Sequence, residues 1–130
     1  MAPTGTEMRE AHYPGRAPID AYGRGGFRFA DMSHRGALIC VPSGIYAWPE
    51  AGDEPLTDTT IARVLAEADE IDVLLVGTGP DLVPLPAALQ ERCLEVGIMA
   101  ESMSTGAAVR TFNVLLADGR RVAAALMVVD

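Results

Sequence analysis

The sequence predicts a mixed α/β domain, on three observations. The second half alternates short apolar runs with amphipathic stretches in the order strand, helix, strand, helix, strand. The first half, residues 19–48, breaks into brief apolar runs at glycine and proline clusters, the pattern of antiparallel hairpins. At 130 residues, 49% of them hydrophobic and 22% charged, the chain has the size and composition of one globular domain with its own core.

Residues 1–17 mix Pro, Gly, Thr and charge without periodicity and read as a flexible tail, leaving a single domain over 18–130. Ile19, Ala21, Phe27, Phe29, Leu38, Cys40, Ile45 and Tyr46 then fall in strands separated by turns at 23–26, 33–36 and 42–44. Thr57 has the chemistry of a helix N-cap with Asp58 in the first turn, and Ile61, Val64, Leu65 and Ala68 form one apolar stripe. A buried strand follows over 72–76. A second helix opens at the prolines of 84–86, where missing amide donors cost nothing, turns Leu85, Leu89, Cys93 and Val96 inward, and ends at Gly97. A strand over 98–101 leads to a third helix capped by Ser104 or Thr105, with Ala108, Phe112, Leu115 and Leu116 inward and Asp118-Gly119 as its stop. The final run, 121–129, is apolar on both alternations and suits a central strand covered on both faces. Each helix is long enough to be a crossover between parallel strands.

Composition excludes several functions. The net charge is −8, all ten basic residues are Arg, and only Arg120-Arg121 are adjacent, so the clustered positive charge that nucleic acid needs is missing. The longest apolar run, 122–129, falls far short of the about 20 residues of a spanning helix, so no direct membrane insertion is expected. Two His and two separated Cys give no metal spacing, and no cofactor is expected. Cys40 and Cys93 read as buried thiols in a reducing compartment, and the N-terminus lacks the basic-then-apolar start of a secretory signal, so cytoplasm is the expected location. His34 beside Ser33 reads as an exposed turn histidine, the carboxylates at 67–72 as a solvated face, and no catalytic residues are legible. Tyr22, Phe27, Tyr46 and Trp48 are expected to be exposed aromatics; Trp48-Pro49 either anchors a partner or closes the core.

A candidate ligand site follows from the crossovers. Residues 77–81 and 102–106 both follow strands and precede helices, so parallel strands would place both loops at one rim, where α/β sheets bind ligands beside helix N-termini. Gly77, Thr78, Gly79, Asp81, Glu101, Thr105 and Arg110 are the candidate ligand-binding residues, with Arg110 able to complement an anion or to pair with Asp81 or Glu101. The loop is neither a dinucleotide fingerprint, since Leu82 stands at the third glycine place, nor a P-loop. Ordinary turn and cap chemistry accounts for the same residue types, and that reading stands beside the functional one. The Gly23-Arg24-Gly25-Gly26 cluster joins two strands and reads as a hairpin turn, not a phosphate cradle.

Five stretches, taken in order, carry a resemblance: 19–23 with 26–29 (Gly-Phe-Arg-Phe), 33–36 (Ser-His-Arg-Gly), 76–79 (Val-Gly-Thr-Gly), and 101–113, which includes Thr-Gly-Ala-Ala and Arg-Thr-Phe-Asn. They resemble the small domain family of uncharacterised biochemical function that includes mitochondrial complex I (NADH dehydrogenase) assembly factor three and bacterial hypothetical proteins. The resemblance implies a three-layer β/β/α fold and a non-enzymatic role, with other proteins (assembly factors or membrane-complex subunits) as partners and no catalytic residues to carry over. A small anionic-ligand binder or cryptic enzyme using the two loops is the alternative, and a homodimer through edge strands stays open.

Overall fold

The computed structural model describes residues 13–53 and 56–130. Nine strands are present among them: β1 (Tyr13–Pro14), β2 (Ala21–Gly23), β3 (Gly26–Phe29), β4 (Met32–Arg35), β5 (Leu38–Val41), β6 (Gly44–Ala47), β7 (Val73–Gly77), β8 (Met99–Met103) and β9 (Val122–Leu126). Three α-helices accompany them: α1 (Ala62–Ala66), α2 (Ala87–Glu95) and α3 (Thr105–Ala117). A six-stranded sheet runs β1-β6-β5-β9-β7-β8, and β2-β3-β4 form a separate three-stranded meander. β7 pairs in parallel with both β8 and β9, while β5 pairs antiparallel with β9 and β6. This is the mixed sheet with parallel crossovers that the sequence predicts.

Strand alternation builds two cores, one on each face of the large sheet. Ile39, Val41, Leu74, Val76, Ala123 and Ala125 face α1 and α2, where they meet Val64, Leu89 and Cys93. Leu38, Cys40, Leu75, Val122, Ala124 and Leu126 face the other way, onto α3 and the meander, where they meet Ala108, Phe112, Phe27 and Phe29. The result is three layers. β9 lies between β5 and β7 with every residue buried, as its unbroken apolar text requires. Its three alanines keep the midline of the sheet thin enough for helices to approach from both sides.

Several local expectations are corrected. The first twelve residues of the expected tail lie outside the described residues, but its last five are placed: Tyr13 pairs with Ile45, and Ala17 is buried. The second turn falls at Ala30-Asp31, not at 33–36, so His34 is a buried strand residue facing the core beside Phe27, not an exposed turn histidine. Inward alternation of Phe27 and Phe29 against His34 and Met32 sets this register, overriding the turn-like text of Ser33 to Gly36. Phe27 and Trp48 are buried rather than exposed, and Trp48 closes the core, its Nε1 donating to the Thr60 carbonyl at 2.7 Å. Thr57 is not a helix cap. It forms a reciprocal turn with Thr60, whose hydroxyl accepts from Thr57 N and donates to Thr57 O, both at 2.8 Å, so α1 starts only after Ile61.

Candidate functional site

The two loops chosen from sequence do meet at one rim. Parallel pairing sets Gly77 opposite both Met103 and Leu126, so the ends of β7, β8 and β9 arrive together. Thr105, fully buried, joins them. Its Oγ1 accepts from Gly79 N at 2.9 Å and donates to Met127 O at 2.7 Å, while its amide donates to Gly79 O at 2.8 Å. Met127 N completes the circuit by donating to Gly77 O at 2.8 Å. Gly77 is obligatory here, since an added Cβ would lie 2.9 Å from Thr105 Cα and 3.1 Å from Leu126 Cδ2.

Thr78 organises the outer half of the same loop. Its amide donates to Met103 O at 2.9 Å, and its hydroxyl donates to Asp81 O at 2.6 Å and accepts from Val83 N at 3.0 Å. Gly79 takes a positive φ of 92° so that its amide and carbonyl both face Thr105. Asp81 is exposed, and its backbone carbonyl, not its carboxylate, is what the loop uses. Glu101 sits on edge strand β8, exposed, opposite Leu75. Arg110 is exposed one turn into α3 and, among the described residues, forms an ion pair with neither Asp81 nor Glu101.

The N-terminus of α3 is mostly satisfied from within. Ser104 is the N-cap, its Oγ accepting from Ala107 N at 3.3 Å; Thr105 N goes to Gly79 O, and Ala108 N to Ser104 O. The Tyr22 hydroxyl of the meander stands against Gly106, so closely that an alanine there would collide with it, and the same added Cβ would lie 3.6 Å from Arg110 Nη1. Tyr22, Gly106 and Arg110 thus form the outer lip of the rim. Tyr22 could not have been assigned to it from local sequence, because only the folding of the meander over α3 brings it there.

Other contacts were also invisible in the text. Asn113 on α3 grips the chain before β2, accepting from Ile19 N and donating to Ile19 O, both at 2.9 Å. Glu67, at the end of α1, accepts from Ser43 N at 2.9 Å and from Ser43 Oγ at 2.6 Å, while the Ser43 hydroxyl lies 2.7 Å from that of Tyr46. Arg63 stacks 3.7 Å above the Tyr46 ring. Both cysteines are free and buried, one in each core; burial pushes the Cys40 thiol up to about 12, and burial raises Cys93 against the pull of Arg92. Leu82 and Val83 leave the rim loop pointing outward, 59% and 53% exposed.

A family model described as a protein of unknown function (DUF498/DUF598) matches residues 19–127. The chain belongs to this family. Among family relatives, an uncharacterized protein of Rhodobacter capsulatus is 43% identical, over 92% of this chain and 90% of its own length. The crystal structure of an outer membrane protein from Bartonella henselae superposes with a TM-score of 0.84 at 59% identity, covering 92% of this chain and 100% of that one. The mouse NADH dehydrogenase (ubiquinone) 1 alpha subcomplex assembly factor 3 is 25% identical over 95% of this chain. Across the animal assembly factors of this kind that it matches, the chain spans 57–67% of their length. These relations bear out the family expected from the sequence and the α/β fold that goes with it. No helix among the described residues is long and apolar enough to cross a membrane.

Proposed function

We propose that this chain is a non-enzymatic protein-interaction module of the assembly-factor kind, supporting biogenesis of a respiratory or other membrane complex from the cytoplasmic side. The observation that carries the reading is the match to the mouse assembly factor, which extends over 95% of this chain, so the whole domain is shared and not one motif. The rim adds support. Its buried polar groups are consumed by one another, which suits a scaffold that holds a surface, while Leu82 and Val83 project from it as apolar contacts for a partner. Deleting the gene in its host should deplete assembled NADH dehydrogenase on native gels and accumulate partial assemblies. A fully assembled, fully active complex in the deletion strain would refute the reading for that complex.

A second reading keeps the rim as an anion site. It is favoured by Arg110, exposed without an ion pair among the described residues and with its Nη1 beside Gly106 in the first turn of α3. It requires that some anionic metabolite raise thermal stability by an amount set by RT ln(1 + [L]/Kd), about 2.7 kcal/mol at 100 times Kd. Arg110→Ala should abolish that shift. A metabolite screen without stabilisation removes the reading.

A further inference from the structure

Neither reading uses the outer face of the meander. Alternation along β2, β3 and β4 turns Phe27, Phe29 and His34 toward the core and leaves Ala21, Gly23, Gly26, Arg28, Ser33 and Arg35 on the opposite face. A groove of about 1110 Å³ runs there, walled by Arg24, Arg28 and Arg35, and no carboxylate lines it. In a chain with 18 acidic and 10 basic residues, this is a marked segregation of charge. Arg92 and Arg121 are held by carboxylates, whereas Arg24, Arg28 and Arg35 form no ion pair among the described residues. Arg28 is held across the sheet instead, its Nη1 donating to Ser33 Oγ at 2.9 Å. Gly23 stands opposite Gly26 beside the β2–β3 turn, so that end of the face carries no side chains between Arg24 of the turn and Arg35 of β4, and a Cβ at Gly26 would run into the His34 carbonyl.

We infer that this groove is a docking site for an extended, acidic segment of a partner protein, with carboxylates two residues apart. The inference rests on the reading of the chain as an interaction protein and supplies the chemistry of the partner. Arg28 faces Ser33, so Arg35 is its diagonal neighbour, and such positions lie about 7–8 Å apart. Alternate side chains of an extended peptide recur at about 7 Å on one face. A bare glycine floor between guanidinium walls lets that peptide's backbone approach while each arginine takes a carboxylate, bidentate where the geometry allows. The overall charge of −8, with Asp20 and Asp31 flanking the meander, opposes polyanions and anionic membranes and leaves a short acidic peptide as the matching ligand.

The test uses the full chain and a fluorescein-labelled peptide alternating Glu and Thr, with a Lys-Thr peptide as its counterpart. Anisotropy should show binding of the acidic peptide only, weakening as salt rises from about 50 to 500 mM, and amide shifts should concentrate in residues 21–35. Arg28→Glu with Arg35→Glu should cost at least about tenfold in affinity, whereas Arg92→Glu with Arg121→Glu, an equal change in net charge, should not. If the first pair fails to fold, Arg28→Gln with Arg35→Gln removes the charge more gently and must weaken binding in the same direction. Equal loss in both charge variants, shifts outside the meander, or preference for phosphate or phosphatidylglycerol vesicles over the peptide would overturn the inference. In the host, normal complex assembly with the Arg28/Arg35 variant but not with the deletion would sink the groove and spare the proposed function. Peptide binding in the groove with no assembly defect on deletion would do the reverse.

Discussion

Thr105→Val asks whether the rim is held by hydrogen bonds or by packing alone. Valine reproduces the shape of threonine and removes one oxygen, which here accepts from Gly79 N and donates to Met127 O at a site with no solvent access. Both backbone partners stay behind. A buried polar group left unsatisfied costs about 1–3 kcal/mol, which the buried Gly79 amide incurs in full, while the part-buried Met127 carbonyl adds about 1, so the loss is roughly 2–4 kcal/mol. Against a total stability of about 5–15 kcal/mol that is severe, and at roughly 3 °C per kcal/mol for a chain of this size it lowers Tm by about 6–12 °C. Thr105→Ser is the necessary comparison. It keeps the oxygen and removes a buried methyl, costing about 1 kcal/mol. Urea unfolding of the three proteins at unchanged m-value, with hydrogen exchange at Gly79 as the local readout, gives the answer. If Val is as stable as wild type, or Ser is worse than Val, the network is not what holds the rim together.

Asn113→Ala removes both hydrogen bonds to Ile19 and should cost about 1–3 kcal/mol in urea unfolding, with faster exchange of the Ile19 amide; protection unchanged at Ile19 would refute the tether. The β3–β4 turn places Ala30 and Asp31 at φ of 49° and 62°, a left-handed pair that favours Asn-Gly, so Ala30→Asn with Asp31→Gly should raise stability by about 1 kcal/mol or more; destabilisation would mean the turn is shaped by contacts other than its own backbone. The Cys40 thiol is raised in the folded state, so the stability it contributes is intact below its usual value of 9.0 and drains as pH climbs toward about 12. Cys40→Ala should therefore flatten the alkaline arm of the stability–pH curve, and a curve of unchanged slope would show that the thiol ionises without unfolding.

The second half of the fold was legible because its signals were redundant. In α3 the apolar period, the Ser104 cap and the Asp118-Gly119 stop all agree, and Ala108 and Phe112 are buried where the period puts them. The run 121–129 was legible as a central strand because an apolar text on both alternations has few other solutions, although the strand itself closes at Leu126. The first half was harder. Ala30-Asp31 carries no turn signature, while Ser33 to Gly36 carries a false one, and only the meander packing on the core decides between them. α1 was overestimated because Thr57 and Thr60 bond to each other, an option a helical wheel does not display. Of the candidate site, the meeting of the two loops was legible from topology. That Thr105 would face inward as a junction, and that Tyr22 would form the lip, depended on tertiary contacts.

The rim and the meander are braced against each other. A parallel rim normally offers free amides to a ligand, but here Thr105, Gly79, Thr78 and Ser104 satisfy most of them internally. Polar groups locked in this way stiffen the end of the sheet. The same stiffening reaches the meander, because Gly25 N donates to Val129 O just beyond β9 and Gly36 N to Gly25 O. A three-stranded sheet alone would be marginal in water. Buried through Phe27 and Phe29 on one side and pinned to the chain end at its turn, it becomes a rigid platform whose other side is free to carry charge. Rigid placement reduces the ordering cost of binding, so Arg28 and Arg35, rooted in β3 and β4, would lose less freedom on meeting an acidic segment than the same residues on a loop.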